Sequence, residues 1–192
     1  MSAFMVVIVV AVVAGAGFLA WNQARTHRLR RQFGPEYDRA VDQHGNRREA
    51  ERDLHAREQH HHDLAIRPLD PGSRTRYLDQ WTHIQAEFVD SPEVSVDLAD
   101  KLVIAVMGER GYPTENYEAR VTELSVEHAR TLGHYRSGHE ISTSGEASTE
   151  DLRQAMVHYR TLVEDLLSAP WDERVPAPSP AGVPTPRDAG PN

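Results

Sequence analysis

The feature that most constrains this chain is an uninterrupted apolar segment near its N-terminus. From residue 3 to residue 21 the sequence AFMVVIVVAVVAGAGFLAW contains no charged and no strongly polar side chain. An α-helix of that length extends roughly 28 Å, about the thickness of the hydrocarbon layer of a bilayer. The valine-rich run would suit a β-strand in water, but in lipid a helix satisfies its own backbone hydrogen bonds. The segment therefore predicts a transmembrane anchor over residues 1–24.

A cleaved signal peptide is the competing interpretation of the same segment. Signal peptides begin with a positively charged region, whereas no Lys or Arg precedes the apolar run here. Ala14-Gly15-Ala16 resembles a cleavage site, but it lies inside the run. These two observations favour a segment that stays attached to the protein.

The charges that follow the apolar segment predict its orientation. Four arginines lie within ten residues of its C-terminal end: Arg25, Arg28, Arg30 and Arg31. Membrane proteins keep such clusters on the cytoplasmic side, so we expect a single-pass protein of the cell membrane with its C-terminal body in the cytoplasm. Trp21 has the aromatic character enriched at bilayer surfaces, and with the four arginines it forms the predicted membrane interface.

Composition and charge argue against several classes of protein. The chain has no cysteine, which excludes disulfides, thiolate metal sites and a cysteine nucleophile. Residues 69–169 contain 18 acidic and 9 basic side chains and so carry a net charge of −9. Such a body repels the phosphate backbone, and we expect no nucleic-acid partner.

Residues 25–68 are predicted to form a basic juxtamembrane segment and a charged helical spacer. Acids and arginines alternate there at helical spacing, and large apolar residues are sparse. This pattern is typical of a mostly solvated long helix that leads away from the membrane. Gly45-Asn46 is the point where we expect that helix to break or kink.

Residues 69–168 are predicted to form a small four-helix bundle. Apolar stripes at helical spacing mark helices that begin near Asp70, Ser91, Thr114 and Ser148, and a polar loop is expected over Ser137–Ser148. Helices with one apolar face must bury those faces against one another, which makes the fold class all-α. Seven prolines in residues 169–192 predict a disordered tail.

Several short motifs in fixed order carry a resemblance to a known family. They are FGPEYDR at 33–39, FVDSP at 88–92, RGYP at 110–113 and TEDLRQAMVHYR at 149–160. Together they resemble an uncharacterised bacterial family that is common among actinobacteria and usually has a single N-terminal anchor. The similarity covers residues 33–167 and departs at LSVEH, residues 124–128, where the family has an Asp and a following proline. The resemblance implies an anchored helical body, and it implies no catalytic residues because the family has no established activity.

Two groups of histidines are candidate metal ligands. The first is His60-His61-His62, preceded by His55 and Glu58. Consecutive side chains on a helix point in different directions, so we expect this group to be a solvated helix end.

The second group is His134, His139 and His158. If the last two helices pair antiparallel, these three imidazoles approach one another near the connecting turn, and imidazole suits zinc, nickel or copper. No carboxylate or cysteine is fixed beside them by spacing, so we assign no metal. The neighbouring His128 lies on an apolar stripe and is expected to be a hydrogen-bonded core residue.

The sequence contains none of the common catalytic signatures. There is no P-loop, Rossmann glycine pattern, G-x-S-x-G or H-E-x-x-H motif, so we assign no catalytic residue and no cofactor. We expect a membrane-anchored protein whose partners are the lipid bilayer and an unidentified protein, with a homo-oligomer as a further option. The alternative is a metal-binding or small-ligand-binding domain that uses the histidines of the C-terminal hairpin.

Overall fold

A computed structural model of the chain describes residues 2–168, although not the side chains of residues 2–4, 6, 8–12, 18, 19 and 22. The predicted tail over 169–192 lies outside the described residues. Within the described part the fold is all-α, as predicted, and contains no strand. Its eight helices are α1 (Ser2–Phe33), α2 (Pro35–His44), α3 (Arg47–Asp63), α4 (Pro71–Glu87), α5 (Pro92–Arg110), α6 (Tyr117–Glu127), α7 (Leu132–Thr143) and α8 (Thr149–Leu167).

The larger hydrophobic core is the predicted helical bundle. It is formed mainly by α4, α5, α7 and α8, and Trp81 at its α4 side is only 6% exposed. Asp70 and Ser148 cap helices as the sequence predicts, whereas the third predicted helix begins after Asn116, whose side chain accepts from the backbone of Ala119, and not at Thr114. The side chain of Asp70 accepts hydrogen bonds from the backbone of Gly72 and Ser73, and Ser148 with Asp151 forms a reciprocal capping box.

The bundle region contains five helices, so the prediction of four was wrong. The third predicted helix is divided into α6 and α7 by a turn at His128–Thr131, where the backbone N–H groups of Thr131 and Leu132 both donate to the carbonyl of His128. The side chains of His128 and Thr131 both bind Asp165 of α8, at 2.7 and 2.6 Å. These tertiary hydrogen bonds hold a turn that no glycine or proline marks in the sequence.

The predicted loop over residues 137–148 was also wrong, because α7 continues to Thr143. Gly138 is not a helix breaker here. A Cβ atom at this position would lie 3.2 Å from the ring of Tyr159, so the glycine lets α7 approach α8 closely. The connection between the two helices is therefore short, which fixes them as antiparallel neighbours.

The charged segment after α1 is not a solvated spacer, contrary to the prediction. It breaks at Gly45, whose φ of +61° suits glycine, and Asn46 caps α3 by accepting from the backbone of Arg48. Helices α2 and α3 fold back as a hairpin with a second core, formed by residues from α1, α2, α3 and α6: Leu29, Phe33, Tyr37, Ala40, Ala50, Leu54 and Val126. Few large apolar residues suffice because the two alanines permit close packing.

A buried carboxylate fastens α1 to this hairpin. Glu51 of α3 accepts hydrogen bonds from Thr26 of α1 at 2.7 Å, from Tyr37 of α2 at 2.9 Å and from Arg47 at 2.9 Å. Burial by itself would raise the pKa of Glu51, but the three hydrogen bonds outweigh it and lower the pKa below its ordinary value. The C-terminal part of α1 is thus an integral part of the folded body.

Helix α1 runs without interruption from Ser2 to Phe33. In the part of the chain whose side chains are described, no helix is long and apolar enough to cross a membrane. The structure does not describe most of the side chains of the predicted span, residues 3–21. The anchor therefore stays a prediction.

The two cores share α6 and are further joined by an ion pair. Leu124 of α6 belongs to the larger core and Val126 to the second. Glu36 of α2, which is buried, pairs with Arg136 of α7. The hairpin of α2 and α3 and the bundle therefore pack as one body.

Candidate functional site

Two of the three predicted metal ligands meet between α7 and α8. The Nδ1 atoms of His134 and His158 are 2.9 Å apart, and the ring centroids are separated by 5.2 Å. Two nitrogens at this distance share one proton, so one imidazole donates and the other accepts. Burial, with a smaller effect from the charge of His134, lowers the pKa of His158.

His139 does not join this pair. Its ring stacks on Tyr117 with centroids 4.1 Å apart, and its Nδ1 lies 4.0 Å from Asp100 of α5. That nitrogen is buried and has no hydrogen-bond partner among the described residues. His139, Asp100 and Ser142 line a separate cavity of about 330 Å³. Across the described residues, no group of three or more His, Cys, Asp or Glu side chains is arranged to hold a metal ion.

The first histidine group lies at the junction of α3 with α6. His61 Nδ1 is 3.0 Å from the buried carboxylate of Glu123, and His60 Nε2 is 3.5 Å from the same group. Its predicted role as a solvated helix end is therefore wrong for His61, which is largely covered. Glu123, 62 residues away in the chain, supplies the partner.

A buried polar network continues from this junction into the bundle. At its centre Arg110, at the end of α5, is only 2% exposed. Its guanidinium donates to the backbone carbonyls of Arg67 and Leu166 at 3.4 and 3.3 Å and lies 3.3 Å from the carboxylate of Glu127. Arg110 thereby connects the loop after α3, the end of α6 and the end of α8.

His128 occupies the other side of the same network, in the predicted role of a hydrogen-bonded core histidine. Its Nδ1 donates to Asp165 at 2.7 Å, since the carboxylate can only accept, and its Nε2 is 3.2 Å from Arg110. The hydrogen bond from His128 lowers the pKa of Asp165. Burial would raise the pKa of Glu127, but the hydrogen bond from Tyr112 and the charge of Arg110 lower it.

The Asp165–His128 pair has the form of a carboxylate that orients a catalytic base, yet it is closed to substrate. His128 is 6% exposed, and its Nε2 faces Arg110 and Tyr112, which are both buried. A general base must reach the proton that it removes. The network therefore has a structural role and stabilises the packing of the helices.

The predicted membrane-interface residues surround the C-terminal half of α1. Trp21, Arg25 and Arg28 line a cavity of about 400 Å³, whose opposite wall contains His55 and Glu58 of α3. Arg30 lies over the ring of Tyr37 and pairs weakly with Asp38 at 3.8 Å, while Arg31 is exposed. Sequence reasoning missed the contribution of α3 because it treated that helix as a spacer.

An apolar groove runs between α4 and α5 of the bundle. It has a volume of about 550 Å³, and its floor contains Ile84, Leu98 and Leu102. The exposed side chain of Ala105 lies in the groove, and Asp79 and Lys101 stand at its edge. The groove is large enough to take up a few side chains of a partner.

Comparisons with known proteins provide no relative for this chain. No protein-family model, no curated protein and no solved structure matches it.

Proposed function

We propose that this chain is a single-pass membrane protein whose helical body lies against the cytoplasmic face of the membrane and binds a protein partner. One observation carries the first half of this proposal. Helix α1 is continuous, its C-terminal residues Leu29 and Phe33 are in the core of the body, and the apolar side chains described further toward the N-terminus are exposed, with Val7 and Val13 each at 65%. Exposed valines on such a helix favour a lipid environment.

The continuity of α1 also bears on where the body would lie. The four arginines lie in the last three turns of α1, which is the part of the helix that packs into the body. No flexible tether therefore separates them from α2 and α3. A body held in this way would rest directly on the headgroup layer instead of projecting from it. This replaces the extended spacer expected from the sequence.

Reporter fusions test the anchor and its orientation together. We expect a C-terminal reporter that is active only in the cytoplasm to give signal, and one that is active only outside it to give none. Replacing Arg25, Arg28, Arg30 and Arg31 by Gln should weaken this preference, because these charges determine it. The reverse pattern of reporter activity would contradict the orientation, and full recovery of the protein without detergent would contradict the anchor.

The groove between α4 and α5 supports the second half of the proposal. Its apolar floor and its two edge charges of opposite sign match the apolar face of an amphipathic helix with acidic and basic flanking residues. Helix α4 packs chiefly against α5, which leaves this side of the pair open. The expected partner is therefore a helix of another protein.

A pair of matched variants tests the groove. A photo-crosslinking side chain at position 105 should capture one defined protein in intact cells, and the same side chain at Ala86, which is exposed on α4 outside the groove, should not. A105E should abolish co-purification of that protein, while A86E should retain it. Equal capture at both positions would contradict the proposal, and capture of a second copy of this chain would replace it by self-association.

The His134–His158 pair favours a second candidate function, a metal-binding or small-ligand-binding site. A ligand that binds only the folded state raises the melting temperature. If the pair binds Zn²⁺, the melting temperature of the full chain should rise with saturable dependence on the metal at about pH 7.5, where imidazole is neutral. The effect should fade at acid pH, because protonated imidazole does not bind a metal. H134Q or H158Q should remove it and H62Q, at an exposed position on α3, should not. An unchanged melting curve would exclude a zinc site at this pair.

A further inference from the structure

The cavity between α1 and α3 has features that a simple gap in the packing does not explain. Its wall contains two arginines from α1, Arg25 and Arg28, and it is open to solvent beside Trp21. The three residues are spaced at intervals of four and three, which places them on one face of the helix. Helix α3 closes the opposite side with His55 and Glu58.

The charges in this cavity are not balanced. Glu58 is shared, since it pairs with Arg28 and also lies 3.3 Å from His55 Nδ1. Arg25 has no ion pair and no hydrogen bond from its side chain to any other residue that the structure describes, although it is partly covered. One guanidinium charge is thus held at the cavity without a partner from the described part of the chain.

The geometry points to a binding site for the phosphate group of a membrane phospholipid in this cavity, an inference that rests on the proposed membrane anchor. A guanidinium binds phosphate oxygens in a bidentate manner, and a second guanidinium at one turn's distance adds to the attraction. Glu58 opposes an anion, but Arg28 and His55 already bind its two oxygens. The volume of about 400 Å³ is within the range of small-ligand sites.

The position of Trp21 supports a lipid as the source of the phosphate. Its side chain is 61% exposed at the cavity, at the last position of the apolar segment and one helical turn before Arg25. Indole rings prefer the boundary between headgroups and acyl chains. With the ring at that level, the two arginines lie at the depth of the phosphates.

Native mass spectrometry of the full chain, released from a neutral detergent, tests the site. The probes are a phosphatidylglycerol, a phosphatidylcholine and inorganic phosphate, each titrated against the wild type and against R25Q, R28Q and R31Q. Arg31 is the matched control because it is exposed, belongs to the same helix and does not line the cavity. We expect one phosphatidylglycerol to bind, R25Q and R28Q each to weaken it by about tenfold, and R31Q to change it less than about twofold.

The outcomes separate this site from general charge attraction and from the anchor itself. Equal weakening by R25Q and R31Q, or no binding to the wild type, would overturn the site. Binding of inorganic phosphate with the same dependence on Arg25 would support the phosphate chemistry and assign a free anion as its source. Whether the protein requires detergent for extraction is measured separately, so failure of the anchor is distinguishable from failure of the site.

Discussion

Replacing Arg110 by methionine removes the charge at the centre of the buried network but keeps most of the aliphatic stem. The acceptors of the guanidinium include the carbonyls of Arg67 and Leu166 and the carboxylate of Glu127, at 3.3–3.4 Å. A hydrogen bond to a charged group contributes about 1.5–3 kcal/mol at good geometry. These bonds are long, so we take about 1 kcal/mol for each and expect R110M to lower the free energy of unfolding by about 3 kcal/mol.

Thermal unfolding of the full chain in detergent, followed by near-ultraviolet circular dichroism, measures this loss. For a protein of this size about 3 kcal/mol corresponds to a fall of about 6–12 °C in melting temperature. R76M is the matched control, because Arg76 pairs with Glu109 at 2.7 Å but is 53% exposed, and an exposed ion pair contributes little to stability, so R76M should cost clearly less than R110M. If R110M cost no more than R76M, the view that this network fastens the helices would be refuted.

Three further predictions follow from the same contacts. W81A should cost about 3–5 kcal/mol in urea unfolding, because the ring is buried in the larger core; a cost below about 1 kcal/mol would contradict its central packing. The pKa values of Asp165 and Glu127 are lowered in the folded protein, so their contribution to stability is complete above the unfolded pKa of about 4 and is lost as the pH falls through the folded values. D165N should therefore reduce the dependence of melting temperature on pH below about 5, and an unchanged dependence would count against this role. Finally, residues 69–168 alone should melt at a lower temperature than residues 24–168, because excision uncovers Val126 and removes the partner of Arg136; equal melting temperatures would show that the two cores are independent.

Local signals in the sequence predicted the all-α class and several helix starts. Asp70 and Ser148 cap helices as expected, because a cap depends on residues within one turn. The hairpin of α2 and α3 was missed for a different reason. Ala40 and Ala50 contribute little to an apolar stripe, and Val126, which completes their core, is distant in the chain.

The histidine pair could be predicted from the register of adjacent helices, whereas the buried network could not. His134 and His158 were expected to meet because adjacent antiparallel helices fix their register, whereas His139, five residues further along α7, is rotated by about 140°. The partners of Arg110 come from three distant segments and were not predicted. One available signal was that Arg110 follows Val106 by four residues and so lies on the apolar face of α5, where an unpaired charge is costly.

The ion pair between Glu36 and Arg136 has a consequence for how the protein is made. The two residues are 100 positions apart, and ribosomes add about 5–20 residues per second. For about 5–20 s after Glu36 is synthesised, its carboxylate therefore has no Arg136 to bind. The contact between α2 and α7 can therefore form only after that interval, in which factors that hold nascent chains can act.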